Sequence, residues 1–260
     1  MALSIHPTAV IEKGAILGEN VTIGPFAYIG PHVKIGDDTS VASHAVIEGF
    51  TTIGKRNRIF SHAAVGTIPQ DLKYDGEESE LIIGDDNIIR EFTLLNPGTK
   101  GGGMVTKIGN HNLLMGYVHL GHDVILGDHC ILANGATLAG HVELGNHVVI
   151  GGLTPVHQFV HIGDYAMIGG ASAVAQDIPP YCLAEGNRAV LRGLNLTGLR
   201  RKIEREDINA LKSAYRELFE QGKPLQEVAQ ELFESETSPF VKSLCMFIKT
   251  SKRGIPFTRK

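Results

Sequence analysis

Imidazole, amide and glycine residues recur at a fixed spacing in the second half of this sequence. Four residues stand 18 positions apart: His122, Gly140, Gln158 and Gln176. Three further histidines lie beside them: His119, His141 and His157. Residues at a constant interval share one face when the chain folds into coils of that length. The spacing therefore predicts a groove lined by imidazoles.

Three kinds of chemistry fit such a groove. A neutral imidazole, with an ordinary pKa of about 6.5, is a suitable general base near neutral pH. Three histidines also suit a zinc ion, as in β-helical carbonic anhydrases. The third interpretation is that they are surface turn residues, which we expect of the other histidines in turns: His32, His44, His62, His129 and His147. The stacking alone does not choose among these interpretations, and no Ser-His-Asp, Cys-His, Walker or Rossmann pattern is present.

The scaffold that would carry this groove is indicated by aliphatic residues that recur with a period of six. An aliphatic residue leads every hexad from Ile5 to Val65, from Ile83 to Leu95 and from Ile108 to Val174. Period six fits neither an amphipathic helix nor a long strand, and a β-sandwich would not keep one spacing for so long. It predicts short strands that end in turns, wound into coils whose equivalent strands stack about 4.8 Å apart.

Two interruptions and a change of composition divide the chain. The period is lost in the polar segment after Gln70 and again around Gly101-Gly-Gly103, which predicts external loops near 71–82 and 100–107. Binding residues concentrate on such loops, although a tolerated surface insertion would look the same. After Pro179-Pro180 the pattern predicts helices over 207–221, 224–233 and 239–250. We therefore expect a β-helical domain over 1–180 and a helical domain over 181–260.

Composition restricts the class of protein. The net charge of −4 over 260 residues argues against a nonspecific nucleic-acid binder. The sequence has neither a basic start followed by an apolar run nor a long apolar stretch, so we expect no signal peptide and no membrane span. Cys130, Cys182 and Cys245 are odd in number and widely spaced. They predict reduced thiols in a cytoplasmic protein.

Long motifs in fixed order carry a family resemblance. They are Gln70-Asp-Leu-Lys-Tyr74, His119-Leu-Gly-His-Asp123, Cys130-Ile-Leu-Ala-Asn134, Ala136-Thr-Leu-Ala-Gly-His-Val142, Val156-His-Gln-Phe159, Ala175-Gln-Asp177 and Glu185-Gly-Asn-Arg188. Over nearly its whole length the chain resembles the UDP-N-acetylglucosamine O-acyltransferases of the hexapeptide-repeat superfamily. The resemblance implies a mainly β fold, a left-handed parallel β-helix with a C-terminal α-helical domain, assembled as a homotrimer with active sites between the prisms.

The resemblance also implies a reaction. A (R)-3-hydroxyacyl chain would pass from acyl carrier protein to the 3-hydroxyl of UDP-N-acetylglucosamine, the first step of lipid A synthesis. His122 would be the general base, Asp123 would orient it, and the Gly140 N–H would stabilise the oxyanion. No metal and no cofactor is implied beyond the phosphopantetheine of the carrier protein.

Further positions match substrate-binding residues of the family. Asp71 and Lys73 would hold the sugar nucleotide, and Asn195, Arg201 and Lys202 would contact uridine and diphosphate. The acceptor and pantetheine cleft would be lined by His119, His141, His157 and Gln158. Gly170 matches the floor of the acyl tunnel and leaves room for a long chain. A basic cluster has three interpretations: it binds the diphosphate, it binds an acidic carrier protein, or it is a solvent-exposed helix face. Its members are Arg188, Arg192, Arg200, Arg201, Lys202 and Arg205.

The chain departs from the family pattern at three positions. Asn96 stands where the family often has His, Lys202 where it often has Arg, and Thr197 where it often has Glu. These departures raise a second acceptor, the 3-amino analogue of the sugar nucleotide, which would give an amide. The later N-acyltransferase of the pathway carries a domain before its β-helix, whereas the hexads here begin at Ile5. A zinc-dependent carbonic anhydrase and a non-catalytic binding β-helix are the remaining alternatives.

Overall fold

The computed structural model describes residues 3–257, and its hexads form short strands. In chain order the strands of the coiled region are β1 (Ser4–Ile5), β2 (Val10–Ile11), β3 (Ile16–Leu17), β4 (Thr22–Ile23), β5 (Tyr28–Ile29), β6 (Lys34–Ile35), β7 (Ser40–Val41), β8 (Val46–Ile47), β9 (Phe50–Ile53), β10 (Arg58–Ile59), β11 (Ala64–Val65), β12 (Glu80–Ile83), β13 (Ile88–Ile89), β14 (Leu94–Leu95), β15 (Val105–Ile108), β16 (Leu113–Leu114), β17 (His119–Leu120), β18 (Ile125–Leu126), β19 (Ile131–Leu132), β20 (Thr137–Leu138), β21 (Glu143–Leu144), β22 (Val149–Ile150), β23 (Pro155–Val156), β24 (His161–Ile162) and β25 (Met167–Ile168).

Every third strand belongs to the same parallel sheet, so the coils form a three-sided prism. Sheet A begins with β1, β4 and β7, sheet B with β2, β5 and β8, and sheet C with β3, β6 and β9. Within uninterrupted coils, residues 18 apart pair directly, as Ile5 does with Ile23 and Leu120 with Leu138. The register confirms the stacking that the sequence predicts.

The leading residue of each hexad fills the prism. Ile29, Ile47, Leu120 and Leu138 are completely buried. Side chains along a strand alternate between faces, so a two-residue strand places one side chain inside and one outside. Each coil therefore contributes three large aliphatic side chains to a continuous column of apolar contacts.

A ladder of buried amides also joins neighbouring coils. Asn57 Oδ1 accepts a hydrogen bond from the Asn87 N–H at 2.9 Å, and Asn87 Oδ1 accepts one from Asn112 at the same distance. Asn112 Oδ1 then accepts from the Cys130 N–H at 2.7 Å. These bonds satisfy turn N–H groups that the short strands leave unpaired, which would otherwise be costly inside the prism.

The three edges of the prism, here called corners AB, BC and CA after the sheets they join, have similar turns. Most turns place one residue in the left-handed backbone region, for example Tyr117 at corner AB, His141 at corner BC and His147 at corner CA. Among non-glycine residues, Asn, Asp and His tolerate this conformation best. The turns therefore account for the many histidines on the corners.

Both interruptions of the repeat leave the prism at corner BC. The first excursion, 66–79, runs between β11 of sheet B and β12 of sheet C. The second excursion, 96–104, runs between β14 and β15, which belong to the same two sheets. The sequence predicts loops near 71–82 and 100–107; in the structure, β12 and β15 begin inside those ranges. Both excursions lie beside the turn that carries His122.

The C-terminal region opens with an antiparallel hairpin, β26 (Cys182–Glu185) and β27 (Val190–Leu194), that extends sheet A. Four helices follow: α1 (Leu196–Leu199), α2 (Arg205–Phe219), α3 (Leu225–Ser235) and α4 (Pro239–Thr250). The sequence predicts the three longer helices to within two residues at each end, but neither the hairpin nor α1. Residues 1–2 and 258–260, the ends of the two predicted domains, lie outside the described residues.

The buried carboxylate of Asp177 ties the chain after α4 to the last coil. Its Oδ2 accepts hydrogen bonds from Ser251 Oγ at 2.7 Å and from the N–H groups of Lys252 and Arg253 at 3.2 Å. Hydrogen bonds to a charged acceptor are the stronger kind. Asp177 therefore fixes the helical region on the prism end. Over the described residues, none of the helices has the length and hydrophobicity needed to cross a membrane.

Candidate active site

His122 and Asp123 form a hydrogen-bonded pair at corner BC. Nδ1 of His122 lies 2.8 Å from Oδ2 of Asp123, whose side chain is only 1% exposed. An ionised carboxylate at this distance holds the proton on Nδ1, because it can only accept a hydrogen bond. The lone pair of the imidazole is then on Nε2, the nitrogen that a substrate proton can reach.

The second excursion holds the Asp123 carboxylate in place. The Thr99 N–H lies 3.0 and 3.1 Å from its two oxygens, and Thr99 Oγ1 donates to Oδ2 at 2.7 Å. The Asp123 N–H donates to Thr106 Oγ1 at 2.8 Å. Gly102 packs so closely that a Cβ there would collide with the carboxylate. The sequence gives no signal for Thr99, Gly102 and Thr106, since the glycine run predicts only an external loop.

Gly140 lies against the His122 ring from the next coil. A Cβ on Gly140 would come within 2.5 Å of Nε2 and Cε1 of His122, so only glycine allows the ring this position. Within residues 3–257 the Gly140 N–H forms no backbone or side-chain hydrogen bond. An unpaired N–H beside a base is suited to stabilise developing negative charge.

A cleft of about 250 Å³ lies over His122 and Gly140. Its lining residues are Gln70, Asn96, His119, Gly121, His122, Ala139, Gly140 and Gln158. Burial lowers the pKa of His119, whose Nδ1 lies 3.3 Å from the Leu94 carbonyl oxygen, and so favours its neutral form. The structure thus brings together the predicted residues His119, His122, Gly140 and Gln158.

The first excursion adds a second carboxylate. Oδ2 of Asp71 lies 3.9 Å from Nε2 of His122, on the ring edge opposite Asp123. Asp71 Oδ1 also accepts the Lys73 N–H at 3.0 Å, which fixes the local turn, while the Lys73 side chain is exposed. The excursions are joined where Glu77 Oε1 accepts the Lys100 N–H at 2.9 Å.

His141 lies one coil above Asp123. Its ring stacks on Phe159 at a centroid distance of 4.3 Å and stands edge-on to His122 at 4.9 Å. Burial lowers the pKa of His141, and the neighbouring Asp123 opposes that shift. His157 is exposed, with Nδ1 only 3.1 Å from the Gln158 carbonyl oxygen.

The Asn96 side chain is buried at the cleft with one atom unsatisfied. Its Nδ2 donates to the carbonyl oxygens of Thr67 at 2.9 Å and Ile68 at 3.2 Å, which fixes the orientation of the amide. Its Oδ1 is buried and has no hydrogen-bond partner within the described residues. An unsatisfied buried acceptor costs about 1–3 kcal/mol, which a donor on a bound ligand would relieve.

Gly170 lies at corner AB in an apolar groove of about 550 Å³. The other residues of the groove are Tyr117, Asn134, Gly135, Gly152, Leu153 and Ala171. A Cβ on Gly170 would come no closer than 3.4 Å, to the Gly152 carbonyl oxygen, so a larger side chain would occupy groove space rather than clash with the wall.

The predicted nucleotide residues lie elsewhere in the chain. Asn195 caps α1 with its Oδ1, and its Nδ2 donates to the Tyr165 carbonyl oxygen at 2.9 Å, on corner CA. Lys202 is exposed and close enough to His147, also on corner CA, to contribute to the lowering of its pKa. Arg201 is exposed next to it. A single chain therefore does not bring these three residues to His122.

Comparisons with known proteins agree with this architecture. A profile described as UDP N-acetylglucosamine O-acyltransferase domain 2 matches residues 177–256, and the bacterial transferase hexapeptide profile matches 14–49 and 106–140. A protein of Sulfurovum sp. (strain NBC37-1) named acyl-[acyl-carrier-protein]--UDP-N-acetylglucosamine O-acyltransferase is 83% identical over 99% of both chains. One of the same name from Aliarcobacter butzleri is 69% identical over 99% of both.

A solved structure agrees as well. The UDP-N-acetylglucosamine acyltransferase of Campylobacter jejuni superposes with a TM-score of 0.95 at 50% identity, covering 98% of this chain and 100% of its own. The predicted mainly β fold with a C-terminal helical region is confirmed. Identity of this extent, over the prism and the helices together, places the chain in the UDP-N-acetylglucosamine O-acyltransferase family.

Proposed function

We propose that this chain transfers a (R)-3-hydroxyacyl group from acyl carrier protein to the 3-hydroxyl of UDP-N-acetylglucosamine, the first step of lipid A synthesis. One observation carries the proposal: the His122–Asp123 pair lies beside the unpaired N–H of Gly140 in a single cleft. This arrangement supplies a base, the group that orients it and an oxyanion donor, as direct acyl transfer requires.

The reaction proceeds by direct attack. Nε2 of His122 accepts the proton of the sugar hydroxyl while its oxygen attacks the thioester carbonyl carbon. The oxygen of the tetrahedral intermediate accepts a hydrogen bond from the Gly140 N–H. Collapse breaks the carbon–sulfur bond, and the His122 imidazolium returns the proton to the departing pantetheine thiolate. Asp123 stabilises the imidazolium between these two transfers.

The substrates occupy surfaces on both sides of this base. Asp71 and Lys73 bind the sugar from the first excursion, and His119, His141, His157 and Gln158 line the path of sugar and pantetheine. The apolar groove at Gly170 receives the acyl chain. A further groove, lined on its basic side by Arg200, Arg205 and Lys212, offers positive charge to an acidic carrier protein.

We include a homotrimer and a cytoplasmic location in the proposal. His122 lies at corner BC, whereas Asn195, Arg201 and Lys202 belong to the corner CA side. A cyclic assembly places a second copy's corner CA beside corner BC, which completes the nucleotide site. Cys130, Cys182 and Cys245 are buried free thiols, a state that a reducing compartment preserves.

The test is an acyl-transfer assay. Purified protein is incubated with UDP-N-acetylglucosamine and a series of (R)-3-hydroxyacyl carrier proteins, and the products are followed by mass spectrometry. We expect a mass gain of one hydroxyacyl group that is lost in His122→Ala. Absence of product with every donor, or full activity of His122→Ala, would contradict the proposal.

A 3-amino acceptor is the second candidate, and Asn96 is the observation that favours it. An amine that gives one proton to His122 retains another N–H, which the unpartnered Oδ1 of Asn96 accepts; a hydroxyl has no second proton to donate. A competition assay with equal amounts of the hydroxyl and amino sugar nucleotides measures the preference. Asn96→His is expected to lower the amine-to-hydroxyl ratio, and an unchanged ratio excludes Asn96 as the cause.

A further inference from the structure

We propose that His122, Asp123 and His141 form a zinc-binding site whose occupation blocks acyl transfer. One ligand atom from each of the three residues lies within 4.8 Å of the other two. Oδ2 of Asp123 lies between the two rings, 2.8 Å from Nδ1 of His122 and 4.0 Å from Nδ1 of His141. Two imidazoles and a carboxylate thus converge on one point of corner BC.

The backbone builds this convergence before any metal binds. Asp123 and His141 occupy the same left-handed turn position in successive coils, with φ angles of 59° and 61°. The coil spacing therefore fixes the distance between them, and His122 precedes Asp123 in the same turn. Stacking on Phe159 at 4.3 Å holds the His141 ring by its face, which leaves the ring nitrogens accessible. A preorganised ligand set lowers the cost of binding.

The donor set suits zinc and disfavours magnesium and calcium. Zinc sites with three protein ligands and one open position use imidazole nitrogen and carboxylate oxygen, with bonds of about 2.0–2.2 Å. Tetrahedral bonds of this length place ligand atoms about 3.3 Å apart, between the two distances present here. Magnesium and calcium prefer ligand sets made of oxygen alone.

The surroundings of Asp123 favour a cation further. Its side chain is 1% exposed, and no Lys or Arg side chain within the described residues forms an ion pair with it. Thr99 donates its N–H and its hydroxyl to the carboxylate, which keeps an oxygen directed at the two rings. Such outer-shell hydrogen bonds orient ligating carboxylates in metal sites.

Zinc and catalysis exclude each other at this site. A neutral imidazole that coordinates zinc through Nδ1 carries its proton on Nε2. Nε2 then has no lone pair to accept the proton of the acceptor sugar. Because this step rests on the proposed function, the binding of zinc and its effect on activity require separate measurements.

The binding test is calorimetry of the chelator-treated full chain titrated with zinc chloride. We expect one zinc per chain in the wild type and a loss of affinity of at least about tenfold in His141→Asn, since changes to the outer-shell partners of a ligand already cost about 10–100-fold. The matched control is His129→Asn, which changes a stacked histidine of corner CA at φ 57°. Asn tolerates the left-handed conformation at both positions, so both variants are expected to fold. Circular dichroism and thermal unfolding check this expectation.

Three results would overturn the site: no zinc binding by the wild type, equal affinity in wild type and His141→Asn, or a loss confined to His129→Asn. The activity test adds zinc to the acyl-transfer assay and then removes it with EDTA. Reversible inhibition over the range of the calorimetric Kd is expected, and full activity of the zinc-loaded protein would overturn the block. A chain inactive in the absence of zinc would contradict the proposed function, while the calorimetry would still decide the site.

Discussion

Corners BC and CA carry similar residues in different surroundings. At corner CA, the rings of His111, His129 and His147 stack in parallel with centroids 4.7 and 4.8 Å apart. At corner BC, His141 stands at 89° to His122, and both rings adjoin a buried carboxylate. The turn conformation is the same at both corners, so it does not explain the difference.

The two excursions explain why the histidines of corner BC differ in their surroundings from those of corner CA. Along the described chain, the hexad period is interrupted by excursions only at corner BC, and Thr99, Gly102 and Asp71 reach His122 and Asp123 from them. A repeat by itself produces a column of like side chains, as at corner CA. A buried, oriented pair requires segments that leave the repeat and pack back on it.

The largest effect is expected from removing the charge of Asp123. In Asp123→Asn, the neutral amide no longer stabilises the His122 imidazolium or fixes its tautomer, and kcat is expected to fall by about 10³–10⁴-fold. Steady-state kinetics on the folded variant measure this loss.

Corner CA offers the matched control, Asp86→Asn. Asp86 occupies the same turn position at φ 58° and also faces a histidine, with Oδ2 3.9 Å from His111 Nδ1. Its side chain is 26% exposed and pairs with Arg56 at 2.7 Å. Its substitution is expected to leave kcat unchanged. A comparable loss in both variants would show that the two corners do not differ as we describe.

A smaller effect is expected from crowding the carboxylate. In Gly102→Ala the new methyl group collides with Asp123, so the second excursion must shift and Thr99 with it. We expect kcat to fall by about 10²-fold, the order of loss caused by misplacing a catalytic group by about 1 Å. Gly101→Ala is the neighbouring control, since a Cβ there meets nothing within 4 Å. Equal kinetics of the two alanine variants would argue against tight packing of this excursion.

A smaller loss of kcat is expected from removing one hydrogen bond to Asp123. Thr99→Val deletes the hydroxyl that donates to Asp123 at 2.7 Å and keeps the backbone N–H bond to the same carboxylate. A hydrogen bond to a charged group contributes about 1.5–3 kcal/mol, which corresponds to a fall in kcat of about 10–150-fold when it is fully lost. We expect the lower end, because the N–H still holds the carboxylate.

Thr93→Val separates activity from stability in this test. Thr93 is completely buried, and its hydroxyl donates to the Arg90 carbonyl oxygen at 2.6 Å, away from the pair. Its loss is expected to lower the free energy of unfolding without changing kcat. If Thr99→Val lowered stability alone, its contact with Asp123 would have no part in positioning His122.

The sequence predicted the strands of the prism better than it predicted the residues that hold Asp123 in place. The leading aliphatic residues predicted the strands because burial of one side chain per short strand imposes the period of six. The spacing of 18 placed His122 and Gly140 together, as the structure does. Thr99, Gly102 and Thr106 carry no such signal, since their contacts with Asp123 depend on how an aperiodic excursion folds back. Hairpin β26–β27 and the four-residue α1 are likewise too short for periodicity to identify.

The smallest effect concerns stability as a function of pH, and both corners contribute to it. Burial lowers the pKa values of His119 and His141 near corner BC and of His147 at corner CA. A histidine with a lowered folded-state pKa binds fewer protons in the folded than in the unfolded protein. The free energy of unfolding is therefore highest above the ordinary histidine pKa of about 6.5, and it decreases as the pH falls below that value.

We therefore expect the thermal unfolding midpoint to decrease as the pH is lowered from 7 to 5. Over part of that range, the unfolded chain takes up protons that the folded protein does not bind. At His147 the neighbouring His129 and Lys202 add to the lowering, while Asp164 and Asp128 oppose it. His147→Asn should reduce the pH dependence of the midpoint and lower kcat at pH 8 less than His141→Asn does, because His147 does not adjoin the His122–Asp123 pair. His141→Asn should reduce the same pH dependence and also impair transfer, because its ring adjoins Asp123. If both variants changed kcat equally, the stacked column at corner CA would have to contribute to the reaction.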